Sequence, residues 1–202
     1  MTELEEFPEL VPTPLRPRLT QDQPWDEAER PARIAPLPAS EYTTRGRAAA
    51  RSLKMIHDHL RRELETIRDL VEQVAQGDLG AHEAQLGLGQ MSMRQNNWAL
   101  GAYCASYCRL VAAHHGGEDS EIFPTLRWRE PALAPVLDRL QHEHVVIHGL
   151  LDAVDAGLVA LVTGDVAAHK VRATVDTLSD ALLSHLAYEE SQLLEAFARY
   201  YG

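Results

Sequence analysis

From Ser40 onward apolar residues recur at steps of three and four: Leu53, Ile56, Leu60, Leu64, Ile67, Val71 and Val74. That period places them along one stripe of an amphipathic helix. Gln76-Gly77-Asp78-Leu79-Gly80 ends the pattern, and a glycine-spotted stretch follows. A second helix is expected from about Met91 to Trp128. Arg129-Glu130-Pro131 closes it, because a proline biases the residue before it away from the helix. The spacing predicts a third helix over 132–163, with Pro135 tolerated in its first turn, and a fourth over 166–200 after the Gly164-Asp165 break. No stretch shows the bounded alternation of a strand. Four long helices with short connections predict an all-α fold, an antiparallel up-down-up-down four-helix bundle.

The first forty residues follow another rule. They hold eight of the eleven prolines, a spacing that forbids a long helix and favours extended, polyproline-like backbone. Phe7, Leu10, Val11, Leu15, Trp25, Ile34 and Leu37 make the segment more apolar than a disordered tail. Residues 1–45 are expected to form a Pro-rich N-terminal arm that is extended, partly disordered, or wrapped on the bundle of residues 46–202 or on a second copy in a homodimer.

Polar positions repeat along with the apolar ones. His57 precedes Leu60, Leu64 and Ile67 as His144 precedes Ile147, Leu151 and Val154. His114, Glu118, Asp119, Ile122, Phe123 and Leu126 parallel His185, Glu189, Glu190, Leu193, Leu194 and Phe197. Apolar periodicity alone would not repeat a histidine and a glutamate at a fixed offset. Residues four apart share a helix face, so His114 with Glu118, His185 with Glu189, and His144 with His148 can each reach one site. With one histidine from the first helix, four helices supply five imidazoles and two carboxylates. Burying that set without a compensating cation is costly. Two metal ions bridged by the carboxylates and capped by imidazoles would supply the charge. Imidazole suits iron, zinc, copper and nickel rather than calcium or magnesium. Iron fits the nitrogen-rich, bridged arrangement best, and manganese and zinc are compatible with the same donors. No H-E-x-x-H string points to a zinc protease.

Composition narrows the picture. A formal net charge of -11 argues against nucleic acid. No apolar run approaches the roughly 18 residues of a membrane span, and the acidic start MTELEEFPEL has no signal-peptide pattern, which predicts a cytoplasmic protein. Cys104 and Cys108 read as buried thiols. Tyr107 reads as core packing with a satisfied hydroxyl.

The strings MIHDHLRREL, HHGGEDSEIFP, EHVVIHGLL and HLAYEESQLL resemble, in order, the four helices of the hemerythrin-like HHE cation-binding domains. The resemblance covers about residues 50–200. It implies a non-haem diiron centre, two oxo- or hydroxo-bridged irons, with metal ligands His57, His114, Glu118, His144, His148, His185 and Glu189. His144, His148 and His185 would hold one iron. His57 and His114 would hold the other, which keeps an open position for dioxygen or peroxide. Glu118 and Glu189 would bridge the two. His59 and His115 are expected to be neighbours rather than ligands, and Asp119 and Glu190 to orient imidazoles. His82, His142 and His169 are expected to be exposed.

The functional expectation is dioxygen binding, storage or sensing. A diiron enzyme for peroxide decomposition or O2-dependent oxidation, and a metal-binding structural or iron-sensing protein, are the alternatives. Gly116 and Gly117 have no counterpart in the mirrored string and predict that the arm or a substrate approaches the helix there.

Overall fold

The computed structural model describes residues 7–32, 39–76, 89–163 and 165–201, without the side chains of 89–99 and Val162. The stretch 77–88 with His82, and the apolar arm positions Ile34 and Leu37, lie outside the described residues. Among those described there is no strand. Helix α1 is Thr44–Gln76. Helix α2, Gly89–Gly117, runs through a π turn, Glu118–Ile122, into α3, Phe123–Arg129. Helices α4, Ala134–Thr163, and α5, Ala168–Tyr200, complete four helical rods. Each rod packs against two others, in the order α1, α2, α4, α5 and back to α1. The expected helix boundaries differ by a few residues, mainly because Pro131–Leu133 forms a separate 3-10 turn before α4.

Thr43 caps α1, its hydroxyl accepting the Gly46 N–H at 2.8 Å. Gly46 permits a close crossing, since a Cβ there would lie 2.1 Å from the Ala198 carbonyl oxygen of α5. The buried stripe of α1 is Leu53, His57, Leu60, Leu64, Ile67 and Val71. The expected stripe included Ile56, which is 43% exposed; the core position belongs to His57.

Two apolar clusters enclose a polar layer. One contains Leu60, Tyr107, Val111, Ile147, Leu151, Leu182 and Leu186. The other contains Leu53, Phe123, Leu126, Leu140, Leu193 and Phe197. The histidines and glutamates of the layer lie where the two clusters meet along the rods. Tyr107 belongs to the first, its hydroxyl donating to the Leu60 carbonyl at 3.2 Å. Burial pushes the Cys104 thiol up to about 12 and Cys108 to about 11, so neither is a ready nucleophile.

One expectation needs correction. Pro131–Leu161 is, by length and composition only, long and apolar enough to cross a membrane. Alanines, valines and leucines dominate its C-terminal part, where Asp152 and Asp155 interrupt the run. Its inward face carries Leu140, Glu143, His144, Ile147, Leu151 and Val154 into the bundle.

Residues of the N-terminal segment lie against the rods. Leu10 and Trp25 join the two apolar clusters, whereas Val11 and Leu15 are exposed. The N–H groups of Leu19 and Thr20 donate to the Asp180 carboxylate.

Candidate metal centre

The π turn shapes one wall of the polar layer. The Phe123 N–H donates to the Glu118 carbonyl, five residues back, and Pro124 next to it has no N–H to continue an α ladder. Residues five apart on an α-helix point about 140° away from each other. The wider turn lets Glu118 and Phe123 both face inward, and both are buried. Gly116 and Gly117 precede this turn on its outer side. Both are exposed, and a Cβ on either would meet nothing within 4 Å. The expectation that something approaches the helix there is overturned; the glycines are tolerated helix residues facing open space.

Two groups of ligand atoms form, each with all members within 4.8 Å of one another: His57, His114, Glu118 and Glu189, and His115, His144 and His185. Six of the seven expected ligands are thereby brought together. His148 stands beside the second group, its ring centroid 5.4 Å from that of His115 and its Nε2 buried without a partner. His115, expected to be a neighbour, is fully buried and stacks on His144 at 4.0 Å. The His114-His115 doublet was the available signal, but only His114 has a glutamate four residues on, and the expectation followed that spacing.

The two glutamates link the groups. Glu118 places Oε1 3.3 Å from His114 Nε2 and Oε2 3.5 Å from His144 Nε2. Glu189 Oε2 lies 3.5 Å from His57 Nε2 and 3.7 Å from His185 Nε2. His59 is half-exposed and pairs with Glu63 instead. His142 and His169 are exposed.

Carboxylates on the far side of the imidazoles set their direction. Glu190 Oε1 lies 3.0 Å from His57 Nδ1, and Asp119 Oδ1 2.9 Å from His144 Nδ1. Glu143 Oε2 lies 3.1 Å from His185 Nδ1. Burial would raise the Glu143 and Glu190 carboxyls, but their imidazole and arginine or backbone partners hold both down at about 2. Ionised carboxylates accept, so Nδ1 donates and the Nε2 lone pair of His57 and His185 is left facing the layer. Glu143 was not singled out from the sequence; it lies one residue before His144 and serves a histidine on another helix.

The inward atoms are poor in partners. Both oxygens of Glu118 and Glu189, both nitrogens of His115, and Nε2 of His144, His148 and His185 are buried with no hydrogen-bond partner in the described structure. Native proteins rarely leave so many buried polar atoms unsatisfied in one place. Burial and the adjacent Glu189 push the Glu118 carboxyl well up. Burial lowers His114 to about 3 and also lowers His115 and His185. The Glu118 shift disfavours a negative charge that a cation would compensate, and the histidine shifts keep the imidazoles neutral, the form that binds a metal. The orphaned donor atoms, imidazole nitrogens with carboxylate oxygens between them, fit metal ions of borderline softness.

A family model, the hemerythrin HHE cation binding domain, matches residues 48–197. The chain belongs to that family. Comparisons with curated proteins and with solved structures give no match. The matched span contains all the histidines and glutamates of both groups, so the HHE domain and its cation-binding cluster coincide.

Proposed function

We propose that this HHE domain is an antiparallel up-down-up-down bundle, wrapped by its proline-rich arm, that holds two iron ions and binds dioxygen reversibly, for storage, delivery or sensing. The observation that supports the pair is the position of Glu118 and Glu189, each within 3.7 Å of an imidazole from both ligand groups. His57 and His114 would hold one ion, and His144, His185 and a nitrogen from His148 or His115 the other. The irons supply the electrons that reversible dioxygen binding requires. The protein's part is to fix the imidazoles, keep the carboxylates between the ions and exclude bulk water.

The imidazole-rich donor set favours binding over oxidation of a substrate. The fewer nitrogens at His57 and His114 leave that half as the place for an exogenous ligand. The test is optical. Ferrous protein prepared without oxygen should gain a visible charge-transfer band in air and lose it under vacuum over repeated cycles. Rapid conversion to a stable ferric form that no longer responds to oxygen would contradict the proposal.

A further inference from the structure

The prolines at positions 12, 14 and 17 keep the early chain extended, and no regular element spans residues 12–19. Extended polyproline-like backbone makes no internal hydrogen bonds, so its N–H groups need outside acceptors. The Thr13 N–H donates to Glu190 Oε2 at 2.7 Å. The other oxygen of Glu190 meets His57 Nδ1 and, at 2.8 Å, Arg61 Nη2.

Seventeen residues further on, the same device recurs with a side chain. Arg30 donates Nε to Glu143 Oε1 at 2.8 Å and Nη2 to Oε2 at 2.9 Å, a bidentate fork. Arg139 donates to the same Oε1 at 2.8 Å, and Oε2 meets His185 Nδ1. Arg30 is held in turn: its guanidinium lies 4.7 Å from the Tyr188 ring centroid and 5.5 Å from that of Trp25, and Nη1 donates to Ser184 Oγ. The Tyr188 hydroxyl donates to the Pro31 carbonyl at 2.7 Å. Asp180 pins the chain between these points.

Each ligand group therefore has one imidazole whose outer nitrogen meets a carboxylate that the N-terminal segment grips: His57 through Glu190 and His185 through Glu143. We propose that this segment is part of the metal centre, with the Thr13 N–H and Arg30 acting as positioning groups for His57 and His185. The proposal rests on the two-iron reading. Loosening Arg30 frees Glu143 to rotate and lets the His185 ring turn, weakening one iron; losing the Thr13 N–H does the same, more mildly, to the other.

The test uses full-length protein loaded anaerobically with Fe(II) and challenged with a ferrous chelator, following iron loss and the Mössbauer signal of each iron. Arg30→Ala should speed the loss of one iron per chain by about tenfold to a hundredfold, the range for a lost partner of a metal-bound histidine. Arg30→Lys keeps the charge without the fork and should recover part of the retention. Thr13→Pro removes the N–H while keeping extended backbone, and should speed loss of the other iron several-fold. Arg16→Ala breaks an exposed arm contact with Glu65 and should stay within about twofold of wild type. Wild-type rates for Arg30→Ala and Thr13→Pro would overturn the inference, as would equal loss of both irons in every variant including Arg16→Ala. If Arg30→Ala does not fold, Arg30→Lys decides: selective loss of one iron supports the inference and a wild-type rate overturns it. Wild-type protein that takes up no iron would overturn the two-iron reading itself, before any variant is compared.

Discussion

His57 and His144 occupy matching places in the two helix pairs. Each turns Nδ1 to the acid that follows a central glutamate, Glu190 after Glu189 and Asp119 after Glu118. The support behind those acids differs. Glu190 is buried and gripped by Arg61 and the Thr13 N–H, whereas the Asp119 side chain is 36% exposed and, among the described residues, no arginine pairs with it. His185 likewise has Glu143 with two arginines behind it, and His114 has no such acid among the described residues. A repeated backbone plan has thus been finished unevenly. Each ligand group pairs one tightly held imidazole with one held more loosely, so rigidity at this site comes from contacts outside the repeat.

The largest expected effect tests what the two groups share. Glu118→Ala with Glu189→Ala removes both links, and metal content should fall from two ions per chain to near zero by elemental analysis. The metal-dependent rise in unfolding temperature should vanish with it. Metal at 1,000 times its dissociation constant stabilises by about 4 kcal/mol, so the loss is easily read. Two ions retained in the double variant would remove the bridging role.

A smaller effect separates the two acids. Glu190→Gln should weaken metal retention about tenfold or more, and Asp119→Asn by clearly less, because water can replace an exposed partner. Competition with a chelator measures both. Equal effects would show that the uneven support has no consequence for the ligands.

Acid sharpens the same contrast in metal-free protein. Burial lowers His114 from 6.5 to about 3. The unfolded chain takes that proton first, so stability falls as pH drops through this window. Glu143 and Glu190, lowered from 4.5 to about 2, add stability that is present above about 4.5 and lost as pH falls towards 2. Glu118, raised by burial and Glu189, works in the opposite direction. Denaturant unfolding across pH should show His114→Gln flattening the upper window and Glu190→Gln the lower one. Unchanged slopes would mean these groups titrate alike in the folded and unfolded chain.

The smallest expected effect concerns the outer side of the π turn. Gly116→Ala and Gly117→Ala should each stabilise the protein by up to about 1 kcal/mol, since alanine is the better helix former and open space receives the methyl. Metal content should not change. Destabilisation or metal loss would restore the idea of a close approach at these positions.

Helical rods, their limits within a few residues and the pairing of histidine with glutamate were legible in the sequence because they are local and periodic. The choices of His57 over His59 and Glu189 over Glu190 followed from the internal repeat, and the burial of His57 and the inward oxygens of Glu189 agree with them. His115 was not legible, because histidines were selected by a glutamate four residues on, and only His114 of the doublet has one. Arg30 and Glu143 were not legible either. They lie 113 residues apart, and no spacing rule connects an extended segment to a distant helix. Gly116 and Gly117 misled, because absence from a repeat was taken for a functional opening.

Anaerobic titration of metal-free protein with Fe(II), read by bound iron per chain and by Mössbauer spectroscopy, tests the two-ion centre most directly. The account predicts an end point of two irons per chain, in distinct environments that become magnetically coupled on oxidation. An end point of one iron, or two irons that never couple, would contradict it.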